Sequence, residues 1–201
     1  MGKDCVIKHS LNPTYLYLCR HGQSQYNACG RLQGQLESPL TSLGKQQARD
    51  LALRAKAWDI KHIISSPLGR AQQTAEICAQ MLKLSVAVRS GFEERHYGHW
   101  QGSYIEQLAD FVVFKQQCYL KKDWLPCEGA ESTENVQGRM LKQLSLLNQN
   151  HTGNILVISH GDAIDCLLSK WTTPKNISNS QHLRLVKNTN SFVWDEQCTA
   201  F

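Results

Sequence analysis

The sequence predicts an α/β fold, a three-layer α/β/α sandwich around a mostly parallel sheet. Three observations carry that expectation. Strand-like and helix-like segments alternate along most of the chain, as parallel strands joined by crossover helices require. Asn154 to Ser159 (NILVIS) is almost wholly apolar, the pattern of a central strand covered on both faces. The segment opened by Ser66-Pro67 places Leu68, Ala71, Ala75, Cys78, Ala79 and Leu82 on one face at helical spacing.

Each element follows from local chemistry. Thr14 to Arg20 (TYLYLCR), after Pro13, reads as a buried first strand. A polar, glycine-containing stretch runs from His21 to Pro39. Thr41-Ser42 caps a helix whose Leu43, Leu51, Ala55 and Trp58 fall near helical spacing. Lys61 to Ser65 is a second strand. Ser66 then supplies an N-cap, with Pro67 at the first helical position. Ser85 to Val88 is a third strand and Gly91 to Gly102 a loop. A helix is expected from Ser103 to about Cys118 with Ile105, Leu108, Phe111 and Val112 inward, and another from Ser132 aligning Val136, Met140, Leu144 and Leu147. After the apolar strand, a helix spans about Asp162 to Lys170. Leu183 to Lys187 and Ser191 to Trp194 close the chain as β-like runs. No repeat or linker interrupts this order, so residues 1–201 read as a single domain.

Composition narrows the function classes. With 201 residues, 41% apolar and 19% charged, the chain suits a globular protein and not a disordered one. Its formal charge of +5 comes without a Lys/Arg block, which argues against nucleic acid and suits a small anionic partner. No apolar run approaches the ~18 residues of a membrane span, and the N-terminal residues do not read as a signal peptide. The eight scattered cysteines fit neither a zinc ribbon nor a disulfide framework. These features lead to the expectation of a cytoplasmic protein with reduced thiols and no membrane partner, in which a homo-oligomer is possible.

Several chemistries are excluded by inspection. Gly44-Lys45 lacks the rest of a P-loop, no Gly-x-Gly-x-x-Gly follows a strand, and no Gly-x-Ser-x-Gly elbow exists. No cysteine has an arginine six residues on. His96 and His99 have no companions for a four-ligand zinc set, so no metal or cofactor is expected.

Ligands of such folds collect at the carboxyl ends of strands, which singles out Arg20-His21-Gly22, Ser65-Ser66-Pro67 and Ser159-His160-Gly161. One strand-end histidine is usually structural. Two in matched settings, each followed by glycine, suggest a site where backbone and ligand approach closely. Arg20 adjoins the first, and Arg70 lies in the first turn after Ser66-Pro67. Guanidinium forks match phosphate oxygens in a bidentate way, so the set reads as a phosphate pocket.

Arg20-His21-Gly22-Gln23-Ser24-Gln25-Tyr26-Asn27 resembles the signature of the histidine phosphatase superfamily, in its phosphoglycerate mutase-like branch. Further matches follow in family order. They are Leu32-Gln33-Gly34, Ser38 to Gly44, Ser65 to Ala71 with Thr74-Ala75-Glu76, Glu94 to Gly98 with Trp100-Gln101-Gly102, Gly129 to Ser132, and Ser159-His160-Gly161. The resemblance covers roughly residues 14 to 195. It implies that His21 is the nucleophile and that Arg20, Arg70 and His160 hold the phosphoryl oxygens. It further implies Glu94 as general acid and base, with a carboxyl pKa raised by partial burial. Glu93 is the rival carboxylate, and motif register favours Glu94. Ser24, Asn27, Gln33, Gly34, Tyr97 and Gly161 fall where the family contacts substrate, though Asn27 reads equally well as a loop cap.

The implied activity is metal-independent hydrolysis of a small phosphorylated metabolite. The alternative is a cofactor-dependent phosphoglycerate mutase. A catalytically inactive, protein-binding relative fits worse, because every implied catalytic residue is present. Two departures favour hydrolysis: no arginine lies between Gly102 and Gly129, and Asp162 stands where the mutases have asparagine. A carboxylate there is expected to be a poor neighbour for a doubly anionic sugar acid. Specificity is expected from residues 102 to 129, with Trp124 the best candidate to face substrate.

Overall fold

The computed structural model describes residues 13–174 and 176–195. In chain order they form β1 (Tyr15–Arg20), α1 (Gln25–Ala28), α2 (Ser42–Ala55), β2 (Ile60–Ser65), α3 (Gly69–Leu82) and β3 (Val86–Val88). Then come α4 (Phe111–Gln117), α5 (Thr133–Asn150), β4 (Asn154–Ser159), α6 (Gly161–Leu168), β5 (His182–Lys187) and β6 (Phe192–Trp194). The strands make one sheet in the order β3-β2-β4-β1-β5-β6. β3, β2, β4 and β1 run parallel, and β5 and β6 add an antiparallel edge.

Strand alternation divides the apolar side chains between two cores. Leu16, Leu18, Ile155 and Val157 meet α5 and α6 on one face. Tyr17, Cys19, Leu156 and Ile158 meet α2 and α3 on the other. The three-layer sandwich follows directly. It also has a consequence for function. The chain leaves β1 toward the α2/α3 face but leaves β4 toward the α5/α6 face, and β1 and β4 are neighbours with Arg20 opposite Ser159. The topological switch point, where open sheets leave a crevice, therefore lies between the ends of these two strands.

Thr41 caps α2 by accepting from the Gly44 amide at 3.0 Å, as the sequence predicts, and Ser132, where the sequence starts a helix, caps α5 by accepting from the Asn135 amide at 3.1 Å. The cap expected at Ser66 is not there. α3 begins at Gly69, whose amide donates to the Glu37 carboxylate at 3.1–3.2 Å. Ser66 Oγ meets His160 at 2.8 Å and accepts from the Leu68 amide at 3.3 Å, but it lies one turn ahead of the helix start, so a distant carboxylate satisfies the first helical amide. The helix expected over residues 103–118 is broken into a 3-10 turn at Ile105–Gln107 and the short α4. Its inward stripe is shifted. Phe114 and Cys118 are fully buried, whereas Val112 is 61% exposed. They join Leu32, Tyr97 and Trp100 in a third, smaller cluster. Trp58 lies past the end of α2, in a 3-10 turn, and stacks on Tyr17 at 4.3 Å.

Candidate active site

His21 and His160 stand side by side at the switch point, with ring centroids 5.0 Å apart and both rings buried. His21 continues the β1–β4 ladder, its amide donating to the Ser159 carbonyl at 3.0 Å. Its Nδ1 lies 2.6 Å from the Gly22 carbonyl, which can only accept, so the proton sits on Nδ1. Nε2 therefore carries the lone pair, and Arg70 Nε donates to it at 3.1 Å. Burial, then Arg70 and Arg20, hold the His21 imidazole well below its ordinary value. His160 is lowered by burial, Arg70 and His21. Both rings are neutral at pH 7.

The flanking cations are fixed by backbone carbonyls. Arg70 donates through Nη2 to Gly34 at 2.7 Å and through Nη1 to Leu36 at 3.1 Å. Burial lowers it to about 10, so it stays charged at neutral pH. Arg20 donates through Nη1 to Ile177 at 2.8 Å, while its buried Nε has no protein partner. Gly161 accommodates this guanidinium, since a Cβ there would lie 3.2 Å from Arg20 Cζ. The glycine after His21 works differently from the sequence expectation. A Cβ on Gly22 would lie 2.3 Å from the Gly44 carbonyl, so it serves contact with α2 rather than with ligand.

Arg20, His21, Arg70 and Glu94 line one cavity of about 360 Å³, at the small end of ligand pockets. Asn27, Gln33, Gly34, Tyr97 and Gly161 also line it. Ser24 and His160 do not. Ser24 caps α1 and donates to Gln33 Oε1 at 2.6 Å, and the His160 ring is tilted against that of His21. Asn27 answers to both of its readings, lining the cavity while its Oδ1 accepts from the Ser24 amide at 3.2 Å. Gln33 holds its place through the Ser24 bond and a donation to the Leu36 carbonyl at 2.9 Å.

The two candidate carboxylates part company. Glu94 Oε1 accepts from the amides of Ala163 at 2.8 Å and Arg95 at 2.9 Å, and Oε2 from Asp162 at 3.2 Å. It thus sits on the N-terminus of α6, where it satisfies amides that have no partner within the helix. Glu93 instead accepts from Gly91 at 2.5 Å and lies outside the cavity lining.

Residues without a sequence signal complete the walls. Arg31, positioned over the rings of Tyr104 at 4.7 Å and Tyr26 at 5.5 Å, contributes a further cation. Lys115 reaches in from α4 to pair with Asp162. Asp162 also pairs with fully buried Arg95 at 2.5 Å, and accepts from the hydroxyls of Tyr97 at 2.6 Å and Tyr119 at 2.5 Å. Burial alone would raise this carboxyl, but Arg95 and Lys115 hold it well below the usual range. Asp162 is therefore an ionised carboxylate whose charge Arg95 and Lys115 offset, which weakens the repulsion expected from sequence. Trp124 does not face the cavity. It packs edge-on against Phe114 at 5.7 Å, under Lys121. Among the described residues no cluster of three or more metal-ligating side chains occurs, and no helix is long and apolar enough to cross a membrane.

A neutral imidazole flanked by the buried guanidinium of Arg70 and the half-buried one of Arg20, at the switch point of a mostly parallel sheet, is the arrangement of an anion-handling α/β protein. The chain belongs to the histidine phosphatase superfamily (branch 1), whose family model matches residues 16–196. The probable phosphoglycerate mutase GpmB of Salmonella choleraesuis (strain SC-B67) is 37% identical over 156 residues, covering 77% of this chain and 73% of its own. A mycobacterial glucosyl-3-phosphoglycerate phosphatase complexed with VO3 superposes with a TM-score of 0.79 at 27% identity, over 90% of this chain and 96% of its own. A phosphoserine phosphatase mutant from Entamoeba histolytica, complexed with phosphoserine, gives 0.77 at 26%, over 91% and 95%. Phosphatases and a probable mutase thus stand together among its relatives.

Proposed function

We propose that the chain hydrolyses small phosphomonoesters through a phosphohistidine on His21, without a metal ion. The observation that carries this reading is the fixed tautomer of His21: Nδ1 is tied to Gly22, and the basic Nε2 faces Arg70 at 3.1 Å. In the first step Nε2 attacks phosphorus, the P–O bond to the alcohol breaks, and the departing oxygen takes a proton from Glu94. In the second, water attacks the phosphohistidine, Glu94 accepts its proton, and the P–N bond breaks to release inorganic phosphate. Arg20 and Arg70 stabilise charge on the equatorial oxygens, the work a metal ion would otherwise do. His160 stands outside the cavity lining beside His21, and its buried Nδ1, without a protein partner, is the atom that a contact with bound phosphate would use.

A second reading, transfer of phosphate between two positions of one substrate, has its own support. The GpmB relative is named a probable mutase, and the charge on Asp162 is already compensated by Arg95 and Lys115. One experiment separates the two. Purified protein treated with EDTA is given 3-phosphoglycerate, phosphoserine and p-nitrophenyl phosphate, and both free phosphate and isomer formation are followed. Hydrolysis predicts phosphate release at an EDTA-insensitive rate. Isomer formation without release supports the mutase, and a rate that Mg²⁺ or Zn²⁺ restores removes the metal-free mechanism.

A further inference from the structure

We propose that Asp162 is a positioning residue: it braces the two backbone segments that hold Glu94 and ties that arrangement to α4. The proposal rests on the reading of Glu94 as the proton-transfer group. Glu94 is held by main-chain donors from two places, Arg95 on its own segment and Asp162-Ala163 at the start of α6, at 2.8–3.2 Å. Those places lie 67 residues apart along the chain, and the side chains of Arg95 and Asp162 join them directly through their 2.5 Å ion pair. Each partner thus offers Glu94 an amide from its backbone while its side chain grips the other.

The brace is fully satisfied. Oδ2 of Asp162 accepts from Arg95 and from Tyr97, and Oδ1 from Tyr119 and Lys115, which fills the acceptor capacity of a carboxylate. Lys115 belongs to α4 and Tyr119 follows it, so the wall of the cavity on that side is moored to the same carboxylate. Arg95 is itself anchored by the Glu131 carbonyl at 3.0 Å and Thr133 Oγ1 at 2.8 Å, at the start of α5. Asp162 faces Arg95 and Lys115 together, so its charge offsets both cations at this point. Removing Asp162 strands two cations beside the carboxylate that transfers the proton. A carboxylate displaced by a fraction of an ångström loses alignment with the leaving oxygen, and proton donation is the step that suffers.

Leaving groups make this testable. The burst of phosphohistidine formation is measured with an alkyl phosphate, whose alkoxide needs the proton, and with p-nitrophenyl phosphate, whose phenolate needs it far less. Asp162→Asn is expected to slow the alkyl burst by about tenfold or more and the p-nitrophenyl burst by less than about threefold. Combined with Glu94→Gln, it should add less than about twofold to the loss that Glu94→Gln causes alone, since a residue acting through Glu94 has nothing left to position. Equal losses with both leaving groups, or multiplicative losses in the double variant, overturn the proposal. A Glu94→Gln burst without leaving-group dependence overturns the acid role itself. A dependent Glu94→Gln beside an indifferent Asp162→Asn overturns only the positioning role. If Asp162→Asn does not fold, Tyr97→Phe removes one donor to Asp162 without stranding a charge. The same selective loss is then expected, and its absence counts against the proposal.

Discussion

The cavity has two unlike sides. One is built at the ends of β1, β2 and β4, where Arg20 ends β1, His21 follows it, Arg70 lies in the first turn of α3, and His160 stands beside His21 outside the lining. The other is α4 with the 3-10 turn before it, held by the Phe114 cluster and by the Lys115–Asp162 pair. The first is fixed by sheet pairing and backbone carbonyls, the second by aromatic edges and buried charge. The difference suggests a division of labour in which the sheet side carries the phosphoryl chemistry and the α4 side shapes what is attached to it.

Substitutions should separate these sides. The largest effect is expected at Arg70, whose guanidinium contacts His21 and two loop carbonyls at once. Arg70→Gln should lower kcat/KM by roughly a thousandfold, as loss of a charged transition-state donor does. A loss below tenfold would mean that the sheet side is not the phosphoryl pocket. On the opposite side, Phe114→Ala should destabilise the protein by about 3–5 kcal/mol in denaturant melts, because a fully buried ring leaves a cavity. At temperatures where the variant is folded, its KM should change more than its kcat.

A pH series sharpens the comparison, since two of the three described histidines with a lowered pKa, His21 and His160, belong to the sheet side, His151 being the third. His21 and His160 are lowered in the folded protein, whereas unfolded histidine titrates near pH 6.5. Below that pH the unfolded chain binds more protons, so stability is full above about 6.5 and falls as pH drops toward the folded values. Each histidine contributes a slope of up to about 1.4 kcal/mol per pH unit. Urea melts at pH 7.5, 6.5 and 5.5 should show this fall, and His21→Asn should remove part of it. A flat profile would contradict the neutral pair. The smallest effect is expected at Arg31, at the cavity wall rather than beside His21. Arg31→Met should raise KM a few-fold and leave kcat nearly unchanged, a uniform-binding loss. An equal fall in kcat would move Arg31 into the reacting centre.

The same two sides differ in how much the sequence disclosed. NILVIS and TYLYLCR are buried on both faces, so their composition alone marks them as sheet, and the histidine and glycine after each strand end mark the site. The short α1 escaped because a four-residue helix held by the Ser24–Asn27 capping box has no period to read. Ser66 was legible as polar punctuation, yet whether its hydroxyl caps α3 or meets His160 depends on a contact 94 residues away. Around α4 a stripe set by Phe114 and Cys118 competes with exposed Val112 and with Ile105 of the preceding 3-10 turn, so the apolar pattern points to the wrong face. The Arg95–Asp162 pair spans 67 residues and joins two elements whose packing no local pattern announces. Local periodicity reveals strands and their ends, while long-range polar pairing stays hidden until the chain is folded.

The most direct test asks where the phosphate goes. Protein mixed with ³²P-labelled phosphomonoester is quenched in base within milliseconds, digested and mapped by mass spectrometry. The account predicts an acid-labile, base-stable phosphate on the peptide containing His21, absent from His21→Ala, and turning over as fast as product forms. Label on His160, on a cysteine, serine or carboxylate, or steady hydrolysis by His21→Ala, would contradict it.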